Sequence, residues 1–304
     1  MRNPRNPLLV AVCAVVTATA LIPSLAQAGT GLAYLRIGAG ARAIAMGNAV
    51  VSNVSDPTAT YWNPGAMAFV PGSELELMHN ESFQTVRYEF VGLTHQRGRN
   101  TLGAAFHGVW TDDLDGRDEL GNPTGGFGYA GLVLSGNYAF AVTDQIGVGV
   151  GLEYLREVID VEQATGVAAS FGAQIREVLP RTDVGLAVLH LGSAMKYVEE
   201  EFDIPTTVQG GVTHRVPVAA LDGVFQVAAE VRSVRDQDTQ LVFGTEYQYQ
   251  ELTSLQVGYQ TQHDTRDVSF GLGLGKGRVH GQYAFSPYGA NLGDQHRFSV
   301  RIGL

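Results

Sequence analysis

Residues 145–154 read Gln-Ile-Gly-Val-Gly-Val-Gly-Leu-Glu-Tyr. From Ile146 to Tyr154, every second position carries a large apolar side chain, and the positions between them carry glycine or Glu153. A period of two matches a strand, in which successive side chains point to opposite faces, and it does not match a helix. The stretch therefore predicts a β-strand with one apolar face and one face of small or polar residues.

The same alternation recurs along the chain from about residue 74. Runs of this kind are centred near residues 77, 91, 105, 135, 150, 170, 187, 209, 228, 243, 257, 270, 281 and 299. The runs near 77, 91 and 187 alternate less regularly, so twelve strands also fit. An even number of amphipathic strands, each about ten residues long, is typical of a membrane barrel. The pattern predicts an all-β fold, a transmembrane antiparallel β-barrel of about 14 strands over residues 74–304, with a soluble all-β protein as the alternative.

The lengths of the connections alternate as well. The links at 98–100, 143–144, 250–251 and 275–277 are tight, whereas those at 111–127, 157–163, 193–203 and 287–293 are the longest. Bacterial barrels have short periplasmic turns and longer outer loops. We therefore expect both ends of the barrel domain on the periplasmic side, although the link at 215–222 is longer than this alternation predicts.

The alternation also assigns the two faces of the wall. Leu272, Val257 and Val150 are expected to face lipid. Aromatic residues are expected near the membrane interfaces: Trp110, Tyr129, Tyr154, Tyr247 and Tyr283. The polar positions predicted to face the lumen are Glu76, His107, Glu153, Gln174, Gln209, Glu230, Arg232, Glu246, Gln256 and Arg301.

The first 28 residues have the pattern of a cleavable signal peptide. Arg2 and Arg5 precede an apolar run from Leu8 to Ile22, and Ala26-Gln27-Ala28 follows as a cleavage site. The only cysteine, Cys13, lies in this segment, so the mature chain is expected to form no disulfide. Export to the outer membrane of a bacterial cell follows from this pattern together with the strands.

Composition excludes other classes of protein. Charged residues make up 16% of the chain and the formal net charge is −10, without the basic cluster that nucleic-acid binding requires. No run of eighteen apolar residues follows residue 28, so a membrane-embedded mature chain has to span as a closed barrel.

Residues 29–73 lack the alternation and are rich in glycine and proline. This segment is predicted to be a plug of short helices and turns inside the barrel. Its Gly38-Ala-Gly40-Ala-Arg-Ala43 stretch matches a dinucleotide-binding fingerprint only weakly, because no strand–helix–strand unit surrounds it.

Calcium binding and enzymatic catalysis are the two remaining chemistries. The acidic stretch 112–119 fits a calcium loop poorly, since the twelfth position counted from Thr111 is Asn122, but loose calcium binding remains an alternative to a solvated loop. Neither an H-E-x-x-H motif nor a G-x-S-x-G elbow occurs. We expect no catalytic residues, no cofactor and no dedicated metal site.

The plug segment resembles the opening of the PorV/PorQ family, whose mature chains typically begin L-R-x-G-x-G-A-R-x-x-x-M-G and continue D-x-x-A-x-x-W-N-P. The matching residues are Leu35, Arg36, Gly38, Gly40, Ala41, Arg42, Met46 and Gly47, then Asp56, Ala59, Trp62, Asn63 and Pro64. Gly65-Ala66-Met67 departs from the usual Ala-Gly-Leu that follows.

The resemblance implies a FadL-like barrel with fourteen strands and an N-terminal plug. It implies a non-enzymatic component of type IX protein secretion or surface attachment, with secretion-machinery proteins or cargo as partners. The alternative is a FadL-like transporter of long-chain fatty acids or other hydrophobic small molecules. A continuous apolar cavity would favour transport, and a polar, filled lumen would favour the interaction role.

Two expectations concern the plug itself. Trp62, Asn63 and Pro64 are predicted where the chain leaves the plug for the first strand. Arg36 and Arg42 are predicted to pair with the lumen carboxylates Glu153, Glu230 and Glu246, because a charge inside a narrow barrel needs a partner.

Overall fold

The computed structural model describes residues 31–82, 86–112, 114–198, 200–250, 252–261, 267–287 and 294–304. The predicted signal peptide lies outside these residues. None of the helices in the described ranges is long and apolar enough to cross a membrane.

Fourteen antiparallel strands form a closed barrel, each paired with its neighbours in chain order, and the first strand pairs with the last. The barrel strands are β1 (Ser73–Glu81), β2 (Arg87–Arg97), β3 (Asn100–Trp110), β6 (Tyr129–Ala141), β7 (Ile146–Ile159), β8 (Glu162–Leu179), β9 (Thr182–Gly192), β12 (Thr207–Val218), β13 (Gly223–Val234), β14 (Gln240–Tyr249), β15 (Thr253–Gln260), β16 (Val268–Lys276), β17 (Val279–Pro287) and β18 (Asp294–Gly303). The predicted fold class is confirmed, with fourteen strands rather than twelve.

Two small two-stranded ribbons, which are not part of the barrel sheet, lie in the connections between barrel strands at one end. One ribbon comprises β4 (Leu114–Arg117) and β5 (Pro123–Phe127), and the other comprises β10 (Met195–Lys196) and β11 (Glu201–Phe202). We call this end of the barrel the long-loop end. The opposite end, where β1 begins and β18 finishes, is the short-turn end.

Two expectations about connections are wrong. Residues 157–163 do not form a long loop, because β7 and β8 stay paired as far as Ile159 and Glu162 and a two-residue turn joins them. Asp160 adopts φ 56° in this turn. The link at 215–222 is shorter than expected, since β12 continues to Val218 and a 3₁₀ turn, Ala219–Leu221, leads into β13.

The outer face of the barrel is apolar. Leu272 and Val257 are 40% and 44% exposed, and they lie among many other exposed Leu, Val and Phe side chains of the wall. Val150 is partly exposed on the same outward register as Leu152 and Tyr154. Such an exterior suits hydrocarbon, in which a closed barrel leaves no strand edge unpaired.

One aromatic residue was assigned to the wrong face. Tyr129 points into the lumen, where its hydroxyl donates to the buried carboxylate of Glu157 at 2.7 Å. Tyr197 donates to the same carboxylate at 2.8 Å. The sequence places Tyr129 at a strand end, but only the register of β6 with β7 shows which face it occupies.

The plug fills the middle of the lumen with short helices and turns, as predicted. It contains a 3₁₀ turn (Ala33–Arg36), α1 (Ala41–Ala45), α2 (Ala59–Trp62) and a second 3₁₀ turn (Pro64–Phe69). The hydrophobic core is therefore inside the barrel, and about half of its members belong to the plug.

Candidate functional site

The plug lies directly against inward glycines of the wall. A methyl group added at Gly185 would collide with the carbonyl oxygen of Val51, and one added at Gly258 would collide with the amide nitrogen of Gly47. At Gly149 it would meet the backbone of Pro64. Gly147 and Gly149, on the glycine face of residues 145–154, thus lie in contact with the plug backbone, which accounts for the absence of larger side chains at these two positions.

Wall side chains bond the peptide groups that the irregular plug leaves open. Glu230 accepts from the amides of Val50 and Val51, each at 3.1 Å. Amide side chains of the wall donate to plug carbonyl groups: Gln209 to Trp62, Gln174 to Ser52 and Gln260 to Gly47, all at 2.6–2.7 Å. Because buried peptide groups need partners, these polar lumen positions determine how the plug folds.

The plug residues that resemble the PorV/PorQ opening have identifiable local roles. Gly38, Gly40 and Gly47 have φ values of 88°, 85° and 63°, a region that favours glycine. Leu35 and Met46 are buried in the core. Asp56 accepts hydrogen bonds from the amide and the hydroxyl of Thr58, one residue before α2.

Trp62, Asn63 and Pro64 do not lie at the exit of the plug, contrary to expectation. The 3₁₀ turn Pro64–Phe69 separates them from β1, and they sit at mid-lumen. The indole nitrogen of Trp62 donates to the carbonyl of Ala39 at 2.7 Å. The amide of Asn63 donates to the plug carbonyl of Val51 at 2.8 Å and to the wall carbonyl of Ala173 at 3.1 Å.

The charged residues pair differently from the sequence-based expectation. Arg42 does bind Glu246, with its closest N–O distance at 2.7 Å. Glu230, however, pairs with Arg232 on its own strand, also at 2.7 Å. Arg232 lies over the Trp62 ring, 5.1 Å from its centroid.

Glu153 pairs with a histidine rather than with a plug arginine. His190 Nδ1 lies 2.6 Å from Glu153, and the hydroxyl of Ser170 donates to the other carboxylate oxygen at 2.5 Å. Because the Ser170 hydroxyl bonds to the carboxylate and not to the imidazole, these three residues do not form a serine nucleophile. Nothing in the sequence marked His190, which occupies an irregular position in β9 with φ 57°.

A cup of about 610 Å³ opens above the plug at the long-loop end. Its floor includes Trp62, Tyr61 and the predicted plug residues Leu35 and Arg36. Its wall carries two arginines and four glutamines from strands β12 to β18: Arg232, Arg297, Gln209, Gln240, Gln260 and Gln295. The volume lies within the range of about 300–1,000 Å³ that is usual for small-molecule sites.

A smaller chamber of about 190 Å³ lies under the plug at the short-turn end. Side chains of both charges line it. The acidic residues include Asp56, Glu76 and Glu246, and the basic residues include Arg42 and Arg301. Arg301 is the cross-strand neighbour of Glu76. The chamber is therefore polar and suited to water.

The two cavities do not form one continuous apolar passage. Plug segment 41–56 separates the cup from the chamber in the described part of the lumen, and polar groups form about half of the cup lining and most of the chamber lining. The lumen thus combines the open volume expected of a transporter with the polar lining expected of a filled barrel.

The acidic loop around residues 112–122 forms hydrogen bonds among its own residues. Asp118 accepts from the side-chain amide of Asn122 at 2.9 Å, and hydrogen bonds of this kind hold the pKa of Asp118 below its usual range. Among the described residues, no group of three acidic, histidine or cysteine side chains is placed to hold a metal ion. Asp113 lies outside the described residues.

Fold and site together define a closed fourteen-stranded antiparallel barrel with a plug in its lumen. The structure is similar to the toluene transporter TodX of P. putida, with a TM-score of 0.65 and 12% identity over 87% of this chain and 96% of that chain. It is also similar to a Pseudomonas aeruginosa FadL homologue, with a TM-score of 0.58 and 11% identity over 86% of this chain and 97% of that one. No family model and no curated protein matches the sequence.

Proposed function

We propose that this protein is a small-molecule channel of the bacterial outer membrane. The observation that carries the proposal is the open cup above a plug that is itself held inside a closed, apolar-faced barrel. A solute entering at the long-loop end reaches Trp62 and Arg36 before it meets the plug backbone. The short turns and both barrel termini then lie in the periplasm.

The fold of the neighbours supports transport rather than secretion. TodX is described as a toluene transporter and, in a mutant form, as a monoaromatic hydrocarbon channel. The type IX secretion role rests on the plug motif alone, and no feature of the loops adds to it. For this chain we propose small molecules as the solutes without specifying hydrocarbons, since the cup is only partly apolar.

Proteoliposome experiments test the channel directly. Entry of small labelled solutes is expected with the wild-type protein and is expected to change in Asn63→Ala, because Asn63 ties the plug to the wall. Heat resistance of the barrel on gels serves as the stability readout. Altered flux per folded molecule supports a plug that controls passage.

The contrary outcomes are also defined. Lost heat resistance with unchanged flux per folded molecule would show that Asn63 has only a structural role in the plug. If no solute enters through either form, the protein is not a channel of this kind.

A further inference from the structure

Polar and apolar side chains alternate in paired rows on the outer face of β1 and β2. Odd-numbered residues of both strands point outward, as the exposure of their side chains shows. From the short-turn end, the cross-strand pairs on this face are Ser73–His95, Leu75–Leu93, Leu77–Val91 and His79–Glu89. Two apolar rows therefore lie between two polar rows. We call this part of the wall the β1–β2 seam.

Both polar rows are hydrogen-bonded pairs on the outside of the barrel. The Ser73 hydroxyl oxygen lies 2.7 Å from His95 Nδ1, and His79 Nδ1 lies 2.5 Å from the carboxylate of Glu89. The side chains of His79 and Glu89 are 51% and 29% exposed. A charged or polar pair on the outer wall of a membrane barrel is costly at the depth of the hydrocarbon. The two polar rows therefore mark where the apolar wall ends at the seam.

The apolar height of the seam is small. Six positions along β1 separate Ser73 from His79. A strand tilted by about 40° rises about 2.5 Å per residue along the barrel axis, so the polar rows differ in height by about 15 Å. The apolar band of a membrane barrel is about 25 Å tall, so the seam is about 10 Å too short for an undistorted bilayer.

Other parts of the wall have the full height. On β7, twelve positions separate Asp144 in the short turn from Arg156, the next outward charged residue. The outward side chains between them are Ile146, Val148, Val150, Leu152 and Tyr154. At the same rise per residue, this apolar stretch is about twice as tall as that of the seam.

The short band is confined to two strands. Phe298 of β18 is the cross-strand neighbour of His79, and Gly108 of β3 is the neighbour of Glu89. The seam is thus about 10 Å wide, the spacing of two strands. A hydrophobic span that is too short is accommodated by thinning of the bilayer, by snorkelling of side chains or by oligomerisation. A notch this narrow calls for a local adjustment.

We propose that phospholipid headgroups descend into this notch and bind the His79–Glu89 pair, so that the bilayer is thinned at the β1–β2 seam. The next outward pair towards the long-loop end is Glu81–Arg87. The notch therefore presents both signs of charge, which matches the phosphate and the ammonium group of a zwitterionic headgroup. Thinning at the seam does not depend on what the barrel transports, so it stands apart from the proposed channel function.

Cysteine labelling measures the depth of the hydrocarbon at the seam. Leu77 and Leu272 both face outward, and each is 40% exposed. Leu77 is two residues from His79 on its strand, whereas the nearest outward charge to Leu272 on β16 is Lys276, four residues away. Each leucine is replaced by cysteine in a chain that also carries Cys13→Ser. The chain is then placed, one barrel to a disc, in nanodiscs of dioleoylphosphatidylcholine.

A membrane-impermeant maleimide is expected to label Leu77→Cys about tenfold faster than Leu272→Cys, because the reactive thiolate forms in water and not in hydrocarbon. Adding His79→Leu/Glu89→Leu extends the seam by one apolar row and leaves no charge without its partner. In that background the labelling of Leu77→Cys is expected to slow about tenfold, to the rate of Leu272→Cys.

Thr245→Leu is the matched control for the added apolar side chains. Thr245 lies on the outer face of β14 between Phe243 and Tyr247, away from the seam. This substitution is expected to leave both labelling rates unchanged. The lipid dependence of the barrel gives a readout without cysteine: the wild type is expected to resist heat better in dilauroylphosphatidylcholine than in the thicker dioleoyl lipid, and His79→Leu/Glu89→Leu is expected to lose this preference.

Equal, slow labelling of Leu77→Cys and Leu272→Cys in single-barrel discs would overturn the proposal, because the bilayer then has its full thickness at the seam. So would a rate at Leu77→Cys that does not respond to His79→Leu/Glu89→Leu. If Leu77→Cys is labelled fast in single-barrel discs and becomes protected when two barrels share a disc, the seam is a contact between copies of this chain, and the assignment to lipid is wrong.

Discussion

Arg42 and Glu246 show how a single ion pair fastens the plug. Arg42 lies on α1 of the plug and Glu246 on β14 of the wall, and their side chains are 18% and 7% exposed. Gln256 also donates to Glu246 at 2.9 Å, and Arg42 donates to Asn53 at 3.2 Å. Both charges are therefore well partnered as long as the plug is in place.

Removing one member of this pair is expected to be costly. Arg42→Gln leaves Glu246 as a buried carboxylate without its counter-ion, and the expected loss is about 3–5 kcal/mol of unfolding free energy. Urea unfolding of the barrel in lipid vesicles measures it. The double variant Arg42→Gln/Glu246→Gln is expected to recover part of the loss, because no buried charge remains.

A solvent-exposed pair provides the control. Arg87 and Asp112 are 39% and 53% exposed and lie 3.3 Å apart. Arg87→Gln is expected to change the unfolding free energy by about 1 kcal/mol or less. Equal losses at Arg42 and Arg87 would contradict a fastening role for the buried pair.

At the scale of elements, the contact between plug and wall depends on glycine. Gly185 of β9 lies against the backbone of Val51, so Gly185→Ala has to displace the plug. Overpacking of this kind is expected to cost about 1–3 kcal/mol. The heat resistance of the barrel measures the stability of the wall. The protease sensitivity of residues 31–72 measures separately whether the plug is displaced.

Gly136 of β6 is the matched glycine. It faces outward, and an added methyl group there meets nothing within 4 Å. Gly136→Ala is therefore expected to leave both readouts unchanged. If Gly185→Ala behaves in the same way, the plug does not rest on the glycine face of the wall.

The strands could be predicted from the sequence because their signal is local. In β7 the alternation of valine and glycine gives both the strand and its two faces. The reason for the glycines could not be predicted, since it lies in plug residues such as Pro64 that are distant in the chain. The turn at Asp160 was missed for a similar reason, because only pairing between β7 and β8 decides where the strands end.

The candidate site was predictable only in part. Polar positions such as Glu230, Arg232 and Glu246 could be identified because they interrupt the apolar alternation. Their partners could not, because pairing in the lumen depends on how strands that are far apart in sequence are brought together around the plug. Arg36 was expected to need a counter-ion, and instead it is open to the cup.

At the scale of the whole molecule, the apolar exterior fixes the depth of the barrel in the membrane. Leu272 lies at the middle of β16 on the outer face, whereas Val279 begins β17 at the short-turn end. Both side chains are well exposed, at 40% and 50%. The same substitution at the two positions therefore tests depth alone.

Leu272→Arg is expected to cost about 2–4 kcal/mol of unfolding free energy in lipid, and Val279→Arg only about 0–1 kcal/mol. Unfolding in lipid vesicles measures both. A Leu272→Arg barrel as stable as the wild type would show that this face of the wall does not lie in hydrocarbon.

The bonds between wall and plug also constrain the order of assembly. The amide of Ala41 donates to the hydroxyl of Ser299, 258 residues further along, and Arg297 reaches back across 260 residues to Ile37. The plug segment, which precedes the barrel in the chain, therefore finds its partners only when the last strand arrives and closes against β1. Contacts so distant in sequence form late. Until then the plug segment has no lumen to enter, and its unpaired peptide groups and apolar side chains must be shielded from other chains.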